Sequence, residues 1–408
     1  MRLPLVLLFA HLAAACAPED DGSSDVVSKD DEDGEEYDGF APKADSNNGL
    51  GGPLAFGAAC TPGPRVTLAA VGDVLLHKPL QTQAMSQPQR FRSLWSPVAD
   101  LLARADIAYA NHEGPSAHGT NASGRTVTDP GFVFDGIVYG SYPQFNYHRN
   151  LAADLVTTGF DVVSTANNHA MDRRALGADR TIEALEAAHL PFTGTKRQDG
   201  SGSWSTTTEA NGIRLAWIAC TFSTNGIPDP KGQVLGCWTD EAEIHDLIRE
   251  ARTQVDAVII TPHWGEEYTA NPSRAQRDLG HRFLDAGATL VLGSHPHVLQ
   301  PWEKYRTTDG RETFAIYSLG NFVSGQAQVA RRSTILLYIG LTKTSTGVKV
   351  NGVRYMPLIM NTRNGVRAVE SIDRAGGNVD ARRIITNMFG TTNLLSPTAP
   401  LTTSDACP

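Results

Sequence analysis

The chain has 408 residues, of which 41% are hydrophobic, and a formal net charge of −9. It is long enough to bury a sizeable apolar core in one large domain or in two modest ones. Eleven acidic residues and a single lysine lie between Glu19 and Asp38, so this short stretch accounts for the acidity of the chain. The acidity is therefore no guide to a substrate, and no basic patch with interleaved aromatic residues indicates a nucleic-acid partner.

The N-terminal residues predict export from the cell. An apolar run from Leu3 to Leu12, too short to span a bilayer, is followed by Ala13–Ala15 and then by Cys16. This pattern predicts a lipoprotein signal peptide over residues 1–16, with Cys16 lipidated as the mature N-terminus. An ordinary cleaved signal with an incidental cysteine is the alternative. We expect an extracytoplasmic protein, lipid-anchored to a bacterial membrane, and Ala17 would permit sorting to an outer membrane.

The residues after this signal are predicted to form a tether. Residues 17–62 are rich in acidic residues, Gly and Ser, a composition that cannot bury enough apolar surface to fold. We therefore expect an acidic disordered segment up to residue 62, a folded domain over residues 63–395 and a tail over residues 396–408.

Four cysteines remain when Cys16 is set aside, an even number that suggests disulfides in an exported chain. Three connectivities are possible. We favour Cys60 with Cys407, which would join the two ends of the folded region, and Cys220 with Cys237. None of the four has CxxC spacing, so a thiolate metal site is not expected.

Strands and helices alternate along the folded region, which predicts an α/β domain. The predicted strands are Val66–Val71, Val162–Ala166, Ile213–Cys220, Ala257–Thr261, Thr289–Gly293 and Phe314–Ser318. The predicted helices are Ser96–Arg104, Asn150–Thr158, Ala178–His189, Glu241–Gln254 and Arg274–Ala286. The C-terminal region has little helix between its apolar runs, and we expect it to form a second, more antiparallel sheet packed against the first; the runs are Ser333–Leu341, Val348–Leu358 and Gly365–Ser371.

Polar side chains follow five of the predicted strand segments. In open α/β sheets, sites form beyond the carboxyl ends of the strands, so we expect these side chains to meet at one edge of the sheet. Taken singly, each could be a helix cap or a hydrogen-bonded structural residue. Together they offer carboxylate, imidazole and amide ligands, a mixture that suits one or two divalent ions of Mn, Fe or Zn. The residues are Asp73, Glu113, Asn168, His169, His263, His295 and His297.

The two histidines of the H-x-H motif are predicted to point the same way from an extended loop, and so to serve one ion or two adjacent ions. Two ions would stabilise both the attacking and the leaving oxygen of a displacement reaction.

The sequence blocks around these residues resemble those of the bacterial capsule-synthesis CapA family, the poly-gamma-glutamate synthesis proteins of the calcineurin-like metallophosphoesterase superfamily. The resemblance runs from about Arg65 to about Gly325 and rests on AAVGDVLLH, YANHEGP, STANNHAMD, TPHWGEEY, GSHPHVLQ and YSLGNFV. It implies a four-layer α/β/β/α sandwich of the metallophosphoesterase type, which agrees with the alternating strands and helices and with the β-rich C-terminal region.

The resemblance also implies a role for each site residue. Asp73 and His297 would hold a first ion, Glu113 would bridge, and Asn168, His263 and His295 would hold a second ion. His169 would donate a proton to the leaving group, because the pKa of histidine lies near working pH. Asp172 would either orient His169 or cap the following helix. The substrate pocket would be lined by Trp264, Glu267 and Tyr268, with Tyr317, Asn321 and Phe322 at its rim.

Two positions depart from the pattern of the wider superfamily. Leu75 stands where a D-x-H motif would supply a histidine, so either His77 or water completes the first ion site, and the number of ions is one or two. Arg173 and Arg174 stand where related sequences have an aromatic residue and a glycine. These cations would favour an anionic substrate if they lie near the pocket, or they would face water.

Three functions are compatible with the sequence. The first is a metal-dependent hydrolase or transferase that acts on an anionic cell-surface polymer such as poly-gamma-glutamate. The second is a non-catalytic, lipid-anchored component of a polymer synthesis and export complex, working with other capsule-synthesis subunits. The third is a general metallophosphoesterase, which rests on analogy of fold alone. The presence of His169 favours a catalytic function, since a purely structural metal site would not need this residue.

Overall fold

The framework of the structure begins with β1 (Arg65–Leu75), whose apolar residues are buried on both faces along almost its whole length. A continuous apolar run of this kind is typical of a strand covered on both sides. The computed structural model describes residues 49–374 and 376–403 of the chain, and these residues belong to one compact unit, Glu36–Pro408. β1 extends four residues beyond the predicted strand, which takes Asp73 into the sheet.

The first sheet contains eight strands in the order β14-β13-β12-β1-β2-β3-β4, with β11 also paired to β1. β1 to β4 run parallel to one another, and β12 to β14 continue the sheet in antiparallel fashion. Besides β1, its strands are β2 (Ile107–His112), β3 (Val162–Ser164), β4 (Phe192–Thr193), β11 (Asn321–Ser324), β12 (Ser333–Thr344), β13 (Gly347–Arg363) and β14 (Val366–Ser371).

The second sheet contains six strands in the order β5-β6-β7-β8-β10-β9. Its four central strands are parallel, and an antiparallel strand lies at each edge. The strands are β5 (Ser205–Ala210), β6 (Ile213–Thr221), β7 (Ala257–His263), β8 (Leu290–Leu292), β9 (Leu299–Arg306) and β10 (Glu312–Leu319).

The helices are α1 (Lys78–Ser86), α2 (Ala99–Leu102), α3 (Asn150–Thr158), α4 (Arg174–Ala187), α5 (Glu241–Gln254), α6 (Arg274–Ala286), α7 (Val329–Arg332) and α8 (Val379–Phe389). The predicted bounds of α3, α5 and α6 are confirmed. The predicted helix over Ser96–Arg104 is instead a 3-10 turn, Ser96–Val98, followed by the four-residue α2.

Three hydrophobic clusters show how the layers pack. One contains inward-facing residues of both sheets, for example Leu68 of β1 and Ile259 of β7. A second lies between the first sheet and its helices and includes Leu151 of α3, and a third lies between the second sheet and its helices and includes Phe283 of α6. Each sheet therefore packs against the other on one face and against helices on its outer face. The four-layer α/β/β/α prediction is confirmed.

The placement predicted for the C-terminal strands was wrong. They form no sheet of their own, because β12 pairs with β1 and carries β13 and β14 with it as an extension of the first sheet. The second sheet comes from the middle of the chain. The pattern of apolar residues predicted strands here, but it does not specify the partner to which a strand forms its hydrogen bonds.

The predicted tether ends earlier than residue 62. Leu50 and Phe56 are buried, Gly51 donates its N–H to the carbonyl of Trp302 at 2.7 Å, and the Trp302 indole donates to the carbonyl of Gly52 at 2.7 Å. These apolar side chains and backbone hydrogen bonds hold the segment on the domain. Residues 396–403, predicted as a tail, also pack: the Thr403 hydroxyl donates to Asn351 at 2.8 Å.

The disulfide between Cys220 and Cys237 is confirmed. Cys60 is also disulfide-bonded, and Cys407 lies outside the described residues, so that pairing stays a prediction. The signal peptide and Cys16 lie outside the described residues as well. No helix within residues 49–374 and 376–403 is long and apolar enough to cross a membrane.

Candidate metal centre

The predicted site residues come together, but from two sheets and not from one sheet edge. Asp73 lies in β1, Glu113 directly follows β2, and Asn168 and His169 follow β3, all in the first sheet. His263 ends β7 of the second sheet, and His295 and His297 follow β8. The carboxyl ends of the parallel strands of both sheets therefore converge on one buried centre.

Two glycines allow this convergence. A Cβ atom on Gly72, next to Asp73, would lie 1.7 Å from the carbonyl oxygen of Gly320. A Cβ atom on Gly293, two residues before His295, would lie 2.0 Å from the carbonyl oxygen of Tyr317. Only glycine lets the neighbouring backbone approach this closely, so both positions fix where the adjacent site residues stand.

Asp73, Glu113 and His297 form the first candidate metal-binding group, and all three are buried. His297 Nδ1 lies 3.2 Å from Asp73 Oδ2 and 3.0 Å from Asn321 Oδ1. The Asn321 amide nitrogen donates to the carbonyls of His297 and Arg331, so its Oδ1 must be the acceptor. Nδ1 therefore carries a proton, and Nε2, 3.8 Å from Glu113 Oε1, is the nitrogen that can bind an ion once the ring is neutral.

Glu113, His263 and His295 form the second group. His263 Nε2 lies 2.9 Å from Asn168 Oδ1, 3.2 Å from His295 Nδ1 and 3.5 Å from Glu113 Oε1. Ligand atoms about 2.0–2.1 Å from a tetrahedral ion stand about 3.3 Å apart, so these spacings fit a common divalent ion.

Glu113 belongs to both groups, and its chemistry supports a metal. Both of its carboxylate oxygens are buried, and neither has a hydrogen-bond partner among residues 49–374 and 376–403. A buried carboxylate without donors is costly, and a cation removes that cost. Burial raises the pKa of Glu113 well above its ordinary value, and the nearby Asp73 charge raises it further. The residues present therefore fit a divalent ion.

The three histidines differ in charge. Burial lowers the pKa of His263 and of His295 well below the ordinary value, and the neighbouring imidazoles lower it further, so both rings are held neutral, the form that binds metal. Burial also lowers the pKa of His297, but Glu113 and Asp73 outweigh it and raise the pKa to about 9.

The H-x-H loop is not extended, contrary to the prediction. His295 has φ +101° and His297 has φ +57°, in the region that non-glycine residues rarely adopt. The two rings therefore diverge, with their centroids 5.8 Å apart. With Glu113 they belong to different ligand groups, and a third candidate group combines both of them with the exposed Glu267. A strained backbone at a candidate site is consistent with function, where such strain is commonly held.

Several residues that support the ligands were not predicted. Asn111 donates to Asp73 Oδ1 at 2.8 Å and lies 3.2 Å from His263 Nδ1. Ser294 Oγ lies 3.0 Å from the same Nδ1, and Asn225 Oδ1 accepts from the Asn168 amide at 3.2 Å. Asn111 lies two residues before Glu113, and Ser294 lies directly before His295, so closeness to a predicted ligand was the signal that the sequence offered. Asn225 lies in the loop after β6, where the sequence gives none.

His169 and Asp172 form a hydrogen-bonded pair at the same centre. His169 Nδ1 lies 2.8 Å from Asp172 Oδ2, which also accepts the backbone N–H of Phe145 at 2.6 Å. The Phe145 ring packs edge-on against the His169 ring with centroids 4.8 Å apart. α4 begins at Arg174 with no side-chain cap, so of the two roles considered for Asp172 the geometry shows the orienting one.

The residues predicted to contact substrate lie in different surroundings. Trp264 is fully buried in the outer core of the second sheet and donates its indole N–H to the Tyr317 carbonyl at 3.0 Å, which does not fit a contact with substrate. Asn321 is also buried and orients His297. Glu267 is exposed, beside His295 and His297, and Tyr268 is half-buried with its ring centroid 6.2 Å from that of His297. These two remain candidates for substrate contact.

The departures from the superfamily pattern are also explained. Leu75 is buried in the core of the first sheet, and His77 belongs to none of the candidate groups found among residues 49–374 and 376–403. His77 Nδ1 instead accepts the Gly325 N–H at 3.1 Å. Arg173 is buried and donates to the carbonyls of Gln144 and Val138, so it neither faces water nor lies free in the pocket.

Comparison with known proteins agrees with the sequence blocks. The model of the family "Bacterial capsule synthesis protein PGA_cap" matches residues 67–326. The "PGA biosynthesis protein CapA" of Bacillus subtilis is 33% identical over 68% of each chain, and the "Capsule biosynthesis protein CapA" of Bacillus anthracis is 31% identical over 47% of this chain and 46% of its own.

Among solved structures, the calcineurin-like phosphoesterase YfkN from Bacillus subtilis covers 80% of this chain and 96% of its own, with 15% identity and a TM-score of 0.45. The family match spans well over half of the chain and includes every candidate ligand from Asp73 to His297. The chain belongs to the bacterial capsule synthesis protein PGA_cap family.

Proposed function

We propose that this protein is a metal-dependent hydrolase of the bacterial cell surface, which acts on an anionic polymer of the poly-gamma-glutamate type during capsule synthesis. The observation that carries the proposal is the buried Glu113 carboxylate, which is shared by two candidate metal-binding groups and receives no hydrogen bond from the described part of the chain. One or two ions of Mn, Fe or Zn suit the mixed carboxylate, imidazole and amide ligands.

When bound, a divalent ion supplies Lewis-acid stabilisation of the negative charge that develops during hydrolysis. The chain supplies the geometry and the proton. Asp172 accepts from His169 Nδ1 and fixes the ring, so Nε2 is the nitrogen available to protonate the leaving group. Ser294 holds the His263 ring, and Asn321 holds the His297 ring, so that each presents one nitrogen to the centre.

The location of the protein is part of the same proposal. The apolar run before Cys16 supports a lipid anchor on the outer side of a bacterial membrane, where a capsule polymer would be met. The names of the Bacillus relatives, which refer to PGA and capsule biosynthesis, support that polymer pathway and a role beside other capsule-synthesis subunits.

The test compares two histidine variants of the protein beginning at residue 49. His169→Ala should keep its metal and lose hydrolysis of poly-gamma-glutamate by about 100-fold or more, the contribution typical of a general acid. His295→Ala should lose both metal and hydrolysis. The matched control is His245→Ala, which removes a histidine on α5 away from the centre. Metal is measured by elemental analysis and hydrolysis by release of new amine ends.

Phosphate esters are assayed in parallel with the polymer. Hydrolysis of phosphate esters alone would replace the polymer hydrolase with a general metallophosphoesterase. Metal-loaded wild type that cleaves neither substrate, with His169→Ala indistinguishable from it, would overturn the hydrolase and leave the non-catalytic component of a synthesis complex.

A further inference from the structure

We propose that Arg331, stacked on Tyr268, forms an oxyanion subsite beside the metal centre, which binds a carboxylate or phosphate group of the substrate. This inference rests on the proposed function for the identity of the substrate, and on the geometry alone for the position of the subsite. It assigns the role considered for Arg173 to a residue to which the sequence did not point.

Arg331 has no carboxylate partner in the described part of the chain. The residue is 9% exposed, and its guanidinium carbon lies 3.4 Å from the centroid of the Tyr268 ring. Within residues 49–374 and 376–403, no Asp or Glu forms an ion pair with Arg331. Burying a charge without an opposite charge is costly, so a largely enclosed guanidinium of this kind fits a site in which an anion is the missing partner.

The guanidinium also has no hydrogen-bond partner among the described residues. The described hydrogen bonds of Arg331 use its backbone carbonyl, which accepts from Asn321 Nδ2 at 2.9 Å, and not its side chain. None of its nitrogens is among the fully enclosed polar atoms without a partner, so the guanidinium still reaches solvent. Arg173 differs, because its guanidinium is already used by the carbonyls of Gln144 and Val138.

The position of Arg331 is tied to the metal centre on two sides. Its carbonyl bonds the amide of Asn321, the residue that orients His297. The guanidinium stacks on the ring of Tyr268, whose centroid lies 6.2 Å from that of His297. The backbone of Tyr268 has φ +64° and donates its N–H to the Pro296 carbonyl at 2.7 Å. The side-chain amide of Gln326 donates a hydrogen bond to the Tyr268 hydroxyl at 3.3 Å.

Arginine chemistry specifies the ligand. A guanidinium offers a rigid, planar fork of donors that matches the two oxygens of a carboxylate or a phosphate, and stacking on an aromatic ring holds that fork in one plane. An oxyanion held by Arg331 would lie next to His297, so it would belong to the same substrate molecule as the bond at the metal centre. In a polymer of gamma-linked glutamate units, the group that fits is the free α-carboxylate of one unit.

The experiment measures binding, so that it does not depend on turnover. All proteins carry His169→Ala, are metal-loaded and begin at residue 49, and the variants are Arg331→Gln, Arg331→Lys and the control Arg274→Gln. Arg274 is 93% exposed and pairs with Asp278 on the surface of α6, so its loss removes one positive charge away from the centre. The probes are a gamma-linked glutamate oligomer, the same oligomer with its carboxylates converted to amides, and inorganic phosphate, each titrated by calorimetry.

We expect Arg331→Gln to bind the charged oligomer about 10- to 100-fold more weakly than the parent, as for the loss of a hydrogen bond between charged groups. The affinity of Arg331→Lys, which keeps the positive charge but not the planar guanidinium, should lie between those of the parent and Arg331→Gln. Binding of the amide oligomer and the metal content should not change in either variant, and Arg274→Gln should match the parent. If Arg331→Gln loses affinity for inorganic phosphate but not for the charged oligomer, the subsite is still supported and its ligand is a phosphate.

Equal affinities of the parent and both Arg331 variants for the charged oligomer and for phosphate would overturn the inference. If Arg331→Gln does not fold, the comparison of Arg331→Lys with the parent decides the same question. Failure of the hydrolase proposal is seen separately, in the metal analysis and the hydrolysis assay of the protein with His169 intact. The subsite can therefore stand or fall independently of catalysis.

Discussion

At the scale of single residues, Glu113 is the position on which the metal centre depends. It is fully buried, it lies within reach of His263 and of His297, and no residue that the structure describes donates a hydrogen bond to either of its oxygens. A ligand shared by two groups couples them, because any change there alters both. A change to a ligand that belongs to one group, such as His263, leaves the Asp73 side of the centre intact.

Glu113→Gln should therefore weaken metal binding as a whole. Bound metal at 100 times its dissociation constant stabilises the folded state by about 2.7 kcal/mol, and a 100-fold weaker variant under the same conditions would retain about 0.4 kcal/mol. The measurement is the free energy of unfolding with and without a saturating divalent ion. Glu266→Gln, an exposed neighbour of Glu267, serves as the control. An equal stabilisation of Glu113→Gln and wild type by metal would contradict the shared-ligand role.

Ser294 supports a ligand without binding metal itself. For His263 Nε2 to bind metal, the ring proton must be on Nδ1. Asn111 Nδ2 is itself a donor and cannot accept from Nδ1, so Nδ1 donates its hydrogen bond to Ser294 Oγ at 3.0 Å. Ser294→Ala should lower metal affinity about 10- to 100-fold, as losses of such supporting groups do, while the fold persists. Isothermal titration of the apoprotein with metal measures it. Ser371→Ala, which removes another buried hydroxyl in β14, should show no loss.

The sequence was informative about ligands and poor about their supports, for a physical reason. The predicted ligands lie at or just after the carboxyl ends of strands, and such an end can be recognised from the sequence; they are Asp73, Glu113, Asn168, His263, His295 and His297. Asn225, in the loop after β6, and Arg331, in α7, lie near the centre only because segments distant in sequence pack there. Which side chain of a loop points inward depends on tertiary contacts, and no local pattern records them.

At the scale of elements, the loop between β6 and α5 is held by the disulfide between Cys220 and Cys237, both of which are buried. The loop carries Asn225, which bonds Asn168, and Phe222, whose ring centroid lies 4.4 Å from that of His295. The disulfide thus fixes a segment that forms one wall of the metal centre.

The double variant Cys220→Ala/Cys237→Ala should lose about 3 kcal/mol of unfolding free energy, the value expected for a closed loop of this length. Because the same loop contacts Asn168 and His295, metal affinity should fall too. Urea denaturation gives the first quantity and metal titration the second. Loss of stability with unchanged metal affinity would show that Asn225 and Phe222 do not contribute to the centre.

Elements could be predicted more reliably than their partners. The bounds of α3, α5 and α6 follow from amphipathic patterns that each helix contains within itself. The strands of the C-terminal region were also recognised, but β12 forms its hydrogen bonds with β1, which lies at the other end of the folded chain. Pairing at that separation depends on the whole topology, so the sequence could not assign β12 to the correct sheet.

At the scale of the whole molecule, the two sheets form one structure through their shared core, and the residues before β1 complete it. Leu50 packs with the outer core of the second sheet, whereas Phe56 packs with the core between the sheets. Asn393 bonds both the N–H and the carbonyl of Leu54 at 2.9 Å, so the segment joins the N-terminal and C-terminal parts of the domain.

Two N-terminal deletions distinguish a tether from a structural segment. A protein beginning at residue 49 keeps Leu50 and Phe56, whereas one beginning at residue 58 loses both but retains Cys60. Burial of such side chains stabilises by about 1.5–3 kcal/mol each, so the shorter protein should lose about 3–6 kcal/mol of unfolding free energy. The measurement is urea denaturation of both proteins under the same metal concentration. Coincident unfolding midpoints would mean that these residues belong to the tether after all, and that Trp302 and Asn393 hold their places without them.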